Sequence, residues 1–140
     1  MTGKNFIGDY SAECRFFKNR NLLLGNGYLM ATIEANGIKG MYFYRRLLQE
    51  SKGKKRYRYV EASPDLSPRG GKGFFSSIEK GRVRIPKEAV QYANLRKDNV
   101  SVIGIANHLN IWDSDKLDEV TKDPLTDKEL AKVARLFRGG

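Results

Sequence analysis

The sequence predicts an α+β fold that is mainly β, and three observations carry that expectation. Apolar stretches alternate at a period of two, as where Met41, Phe43 and Arg45 interleave with Tyr42, Tyr44 and Arg46. Gly, Asn and Pro punctuate these stretches at short intervals, which suits strands joined by tight turns. Helix-start signals are few: Pro86 before an amphipathic run, Asp113 or Ser114 before another, and Thr126 with Glu129 in a capping-box pattern.

Residues 6–17, FIGDYSAECRFF, read as the first strand, and KNR at 18–20 as a basic turn. The run NLLLGNGYLMATIEA is open between strand and helix, because Gly25 and Gly27 interrupt a helical period. Asn36-Gly37 then predicts a hairpin leading into the strand MYFYRRLL. From Ser51 the chain turns rich in Gly, Pro, Ser, Lys and Arg, and 51–73 reads as a basic linker or exposed loop with a possible short strand at RYRYV. KGKKRYRY within it is either a solvated loop or a phosphate-contacting arm whose tyrosines pack or stack.

The second half is more sharply marked. GFFSSI is a strand, EKGR a turn and RVRI an alternating strand with Val83 and Ile85 on one side and Arg82 and Arg84 on the other. Pro86 suits the first position of the helix PKEAVQYANL, where its missing N–H is no loss. VSVIGIA and HLNIW form a hairpin across Ala106-Asn107, with Trp112 expected in the core between that hairpin and the following helix. Leu130, Val133, Ala134 and Phe137 share one face of a last helix.

The 140 residues carry a formal charge of +10, concentrated before Asp113, which favours a polyanionic partner: DNA, RNA or an anionic membrane. No apolar run approaches the ~20 residues of a membrane helix, and MTGKNFIGDY has no signal core, so a soluble cytoplasmic protein is expected. Cys14 and His108 are single and far apart, and the carboxylates lack metal-ligand spacing. No enzyme activity, cofactor or metal is expected. Cys14 reads as a small buried strand residue in preference to a reactive thiol.

The halves share an outline, in which KNRNLLL corresponds to KGRVRIP and NGIKGMYFYRRLLQE to ANHLNIWDSDKLDE. Gly81, Arg82, Ile85, Pro86 and Glu88 match the GR-x-x-IP-x-E turn of the SpoVT/AbrB superfamily. Ile111-Trp112-Asp113, Gly8-Asp9-Tyr10 and Lys18-Asn19-Arg20 extend the resemblance to the MraZ family, most specifically from about Phe75 to Glu119. The acid that the family carries four residues before each turn arginine is displaced to Glu79 in the second half, and Phe16 stands at that place in the first.

The resemblance implies a compact double-split β-barrel with short helices, built of a degenerate first module at 6–50, the 51–73 connection, a second module at 74–120 and a C-terminal helix at 121–140. It also implies a nucleoid-associated transcriptional regulator that assembles as a homo-oligomer, a ring of subunits, and binds double-stranded DNA at promoter repeats. By matching position the contacts are Lys18 and Arg20 in the first module and Lys80, Arg82 and Arg84 in the second, with Lys87 beside them at the helix start. A structural RNA-binding role in a ribonucleoprotein, on the same fold, is the alternative that the basic, Tyr-containing segment supports. An antitoxin-like module fits less well, because the tail mixes charges.

Overall fold

The computed structural model describes residues 10–25, 27–49, 55–66, 70–105 and 107–122. Its elements are β1 (Tyr10–Cys14), β2 (Asn21–Leu23), α1 (Tyr28–Ala35), β3 (Gly40–Gln49), β4 (Arg56–Ser63), β5 (Phe74–Glu79), β6 (Arg82–Arg84), α2 (Lys87–Ala93), β7 (Val100–Ile105), β8 (His108–Asp113) and α3 (Ser114–Lys122). The architecture is α+β and mainly β, as expected. The capping box at Thr126 and Glu129, and the rest of the 121–140 helix beyond Lys122, lie outside the described residues, as does Gly8-Asp9.

The strands run β1-β7-β8-β4-β3-β5-β6-β2, each antiparallel to its neighbours. A bridge between Phe16 and Leu22 brings the chain just after β1 onto β2 at the other end of that order. From β1 to β5 the order reads the same from either end once each strand is exchanged for its counterpart in the other half. β1 lies on β7 as β5 lies on β3, β3–β4 and β7–β8 are adjacent pairs, and β2·β6 and β4·β8 join the halves. In this scheme β3 has the place of β7, so the expected match of MYFYRRLL to the HLNIW segment does not hold.

Both early helices end alike. In α1, Gly37 (φ 66°) donates its N–H to the Glu34 carbonyl and Ile38 donates to Ile33; in α2, Asn94 (φ 52°) donates to Gln91 and Leu95 to Val90. These are Schellman closures, with a left-handed residue followed by a buried aliphatic, Ile38 or Leu95, that packs back on the helix. The expected hairpin at Asn36-Gly37 is therefore a helix end: the same left-handed preference serves either purpose, and the helix before it decides. Glycine does not forbid that helix, because Gly25 and Gly27 both precede its first residue, Tyr28. Pro86 likewise stands just before α2, with φ −55° and ψ 142°, and its carbonyl accepts from the Ala89 and Val90 amides.

At 51–73 the short strand expected at RYRYV is present, but it is longer and more central than a linker or exposed loop allows. Far from being only a linker, this span holds the eight-residue strand β4, paired on one side with β3 and on the other with β8. Its basic residues Arg56 and Arg58 face out while Tyr57 and Tyr59 face in. The tyrosines line a second core with Leu48, Trp112 and Val120, where the Tyr59 and Trp112 rings stack at 4.8 Å and 4°. Trp112 is thus a core residue beneath α3, as expected.

The main core lies on the opposite face of the sheet, where Met41, Phe43, Val60, Ala62, Val102, Leu109 and Ile111 meet the helices and the β2·β6 pair. At the crossing of the halves, Leu22 faces Val83, at 0% and 2% exposure. Each buried aliphatic of this kind is worth ~1.5–3 kcal/mol relative to solvent, so the crossing holds the two basic turns in fixed relation. A buried ion pair also braces the central strands: Arg46 Nε donates to Glu61 Oε1 at 3.0 Å.

Candidate nucleic-acid interface

Residues 79–82 form a tight hairpin whose central pair, Lys80 and Gly81, have φ 52° and 74°. Two left-handed residues in succession make the turn type that matches the natural twist of a strand pair. Gly81 adopts this without strain; Lys80 does so at a modest cost that leaves its ammonium exposed. The alternation that follows buries Val83 and exposes Arg82 and Arg84 on one face.

The first basic turn is built differently. Arg20 donates its N–H to the Phe17 carbonyl and Phe17 donates to Asn21, leaving Lys18, Asn19 and Arg20 as a three-residue loop with Arg20 at φ 70°. The extra residue matters for register. Leu22 faces Val83, Ile85 donates to the Arg20 carbonyl at 2.9 Å, and Leu24 donates to the Gly81 carbonyl at 2.7 Å. Arg20 therefore stands where Gly81 stands, and Asn21 and Leu23 stand where Arg82 and Arg84 do. The correspondence of KNR with KGR is off by one residue, and a one-residue slip sends every side chain to the other face. Arg20 belongs to the turn, while Arg82 belongs to the strand.

The β2·β6 pair gathers the expected residues into one band. Arg84 lies opposite Asn21 and Arg82 opposite Leu23. Lys80 and Gly81 flank one end, beside Leu24, and Lys18 and Arg20 flank the other, beside Ile85 and hence near Lys87. From Gly81 to Ile85 the strand climbs about 13 Å. Asn21, Ser76, Ser77, Glu79, Lys80, Arg82 and Arg84 line an open concavity of ≈ 660 Å³ on this band. Arg82 and Arg84 form no ion pair among the described residues.

Two residues that sequence reasoning missed complete the band. The Phe17 ring has the Arg82 guanidinium at 5.3 Å and the Arg15 guanidinium also at 5.3 Å. An aromatic residue of the first half thus holds the leading arginine of the second, through a cation–π contact worth ~0.5–1 kcal/mol at such an exposed place. The contact orders the Arg82 side chain from across the crossing of the halves. The alternation of Arg15, Phe16 and Phe17, with Phe16 buried, was the available signal. Arg15 also lies 3.6 Å from Asp98, an exposed pair that contributes little.

Elsewhere the chemistry is structural. Burial pushes the Cys14 thiol above its ordinary pKa, which makes it a poor nucleophile. Asp113 accepts from Arg96, from Asn99 and from the Lys116 amide, and so caps α3 as expected. Among the described residues no cluster of His, Cys, Asp and Glu could hold a metal ion, and no helix is long and apolar enough to cross a membrane.

Comparison with known proteins bears out the family resemblance. The chain is 39% identical over 57 residues to the transcriptional regulator MraZ of Clostridium tetani, covering 40% of this chain and 39% of that protein. It is 36% identical over 45 residues to the transcriptional regulator MraZ of Finegoldia magna, covering 32% of this chain and 31% of that one. Over these stretches the chain is similar to MraZ proteins. The matches span under two fifths of these relatives' lengths, and no family model matches the chain.

Proposed function

We propose that this chain is a transcriptional regulator of the MraZ kind, which grips double-stranded DNA with the outer face of β2·β6 and the basic turns at its two ends. The observation that carries this reading is the exposure of Arg82 and Arg84, side by side and without acid partners, at the place where the two halves cross. A two-stranded ribbon is narrow enough for the major groove, where a bidentate arginine–guanine contact discriminates by ~1–3 kcal/mol. Lys18, Arg20, Lys80 and Lys87 surround the arginines as phosphate contacts that fix orientation. The names of the Clostridium and Finegoldia relatives support the regulatory role.

In this reading the two halves are copies of one module, and β4 within 51–73 belongs to the first copy as β8 belongs to the second, so the first copy runs past the expected 6–50 to Ser63 while the second keeps 74–120. The site's open shape gives each subunit modest affinity, and a homo-oligomeric ring placing several bands along repeated promoter sites supplies the rest through avidity. Its place is then the cytoplasm, on the nucleoid. The test compares Kd at fixed salt for a duplex carrying direct repeats from the upstream region of its own operon, a scrambled duplex, and a structured RNA. The expected order is repeat duplex tightest. Preference for the RNA, with no dependence on duplex sequence, overturns the reading in favour of a ribonucleoprotein component. A strict monomer in sizing experiments at micromolar concentration removes the avidity argument.

A further inference from the structure

The band at β2·β6 leaves a second cationic surface unused, on the outer half of the β3–β4 hairpin. Arg45 on β3 and Arg56 and Arg58 on β4 are exposed, and all three project from the sheet face that α2 partly covers. Tyr92, near the end of α2, has the Arg58 guanidinium at 5.1 Å from its ring centroid and the Arg45 guanidinium at 5.8 Å. Two like charges are thus held against one ring. Glu88, one helical turn before Tyr92, forms no ion pair with either, and neither arginine has a carboxylate partner among the described residues.

Such an arrangement is unfavourable by itself. Diagonal neighbours on adjacent strands sit ~7–8 Å apart, close enough for like charges to repel. The ring offsets part of this through its π face and, more to the point, stiffens both side chains, so less entropy is lost when a ligand docks. The ligand that fits a rigid pair of uncompensated guanidiniums is a phosphate chain. The surface is also continuous with the band, because α2 begins at Lys87 beside the 18–20 turn and reaches Tyr92 about 7.5 Å further along its axis.

We propose that Arg45 and Arg58, ordered by Tyr92, form with the neighbouring Arg56 a second phosphate-binding surface that holds the backbone of the same duplex flanking the part read at β2·β6. The surface rests on the DNA-binding reading and adds sequence-independent contacts to it. It predicts a division of labour: the band discriminates between sequences, and the hairpin surface lengthens the footprint without discriminating.

The test uses fluorescence anisotropy with the full chain, a labelled duplex of about four helical turns, and a second of about one turn, at ~10 base pairs per turn. Arg45→Ala with Arg58→Ala should weaken binding to the long duplex, whatever its sequence. The slope of log Kd against log salt should become shallower by about 1.8, which is two phosphates at ~0.9 each. Binding to the short duplex should change far less. Arg45→Lys with Arg58→Lys should restore the slope, because phosphate attraction requires only charge. A thermal melt serves to show that the alanine variant is folded; if it is not, Arg56→Ala, which touches no ring, should still lower the slope by about 0.9.

Wild-type slope and affinity in these variants, alongside loss in Arg82→Ala with Arg84→Ala, overturns the second surface and leaves the band intact. The reverse pattern overturns the band and keeps the surface. A slope that lysine does not restore overturns the proposal in favour of a packing role for the two arginines on Tyr92. Loss confined to RNA, with duplex binding unchanged, also overturns it.

Discussion

The turns at 18–20 and 80–81 are alike in composition and unlike in construction. Lys-Asn-Arg and Lys-Gly-Arg differ in one letter, yet the first is a three-residue loop with Arg20 in the left-handed region, and the second a two-residue turn that delivers Arg82 to a strand. Register makes the difference. Leu22 and Val83 must both face the core, and once they do, Asn21 and Leu23 take the outward places that Arg82 and Arg84 have in the other half. The second half contributes the cations of the strand face. The first contributes the neighbour strand and, through Phe17, the ring that orders Arg82.

The most direct way to break this asymmetry is to strip the outward face of each strand in turn. Arg82→Ala with Arg84→Ala should cost about 1–3 kcal/mol of duplex binding per arginine and flatten the salt slope by about 1.8. Asn21→Ala with Leu23→Ala should leave the salt slope unchanged, since no charge is removed. Equal losses in anisotropy titrations of the two variants would mean that the halves contribute equally, against the register found here.

A second experiment attacks the crossing itself. Leu22 is fully buried against Val83, so Leu22→Ala should destabilise the fold by about 2–5 kcal/mol in urea denaturation. Because the crossing positions both turns, duplex affinity should fall with it even where the chain remains folded. A stable variant with intact binding would uncouple the turns from the crossing.

How far these features could be read in advance follows from the same register. RVRI was legible because its alternation is unbroken and Pro86 stops it. The 18–20 turn was not, because a loop one residue longer leaves no mark in composition and only the pairing of Leu22 reveals it. β4 was half legible: a short strand was expected at RYRYV and is there, but its surroundings hid its length and its central place in the sheet. Lysines, serines and prolines on either side suggest a linker, while Tyr57, Tyr59, Val60 and Ala62 carry an inward pattern. Glu61 is the charged residue within that pattern, and its partner Arg46, fifteen residues earlier on β3, is visible only once the strands are paired. Buried ion pairs of this kind are unreadable from local sequence, and removing one member typically costs 3–5 kcal/mol.

Smaller effects separate the turns at the backbone. Gly81→Ala places a side chain at φ 74° and brings its Cβ to 3.2 Å from the Gly25 carbonyl oxygen, so a loss of about 1–2 kcal/mol is expected. Arg20→Gly relieves a left-handed arginine at φ 70°, partly offset by the freer unfolded chain, and should change stability by under ~1 kcal/mol. Urea midpoints for the pair measure both. A Gly81→Ala variant as stable as the parent would mean that the 80–81 turn has a second acceptable geometry.

The smallest effect lies at the end of the second half, where α3 begins. Arg96 donates to Asp113 and Asp115, and the hydrogen bond from Arg96 holds the Asp115 carboxyl below its ordinary range. A carboxyl with a lowered folded pKa contributes stability that is present above its unfolded value of ~3.9 and is lost as pH falls through the folded value. Asp115 is two-thirds exposed, at 68%, so solvent screens the contact heavily. Asp115→Asn should therefore leave the urea midpoint almost unchanged at neutral pH and reduce slightly the fall seen between about pH 5 and pH 2. A steeper acid loss in Asp115→Asn than in the parent would reverse the sign and remove Arg96 as the group that depresses Asp115.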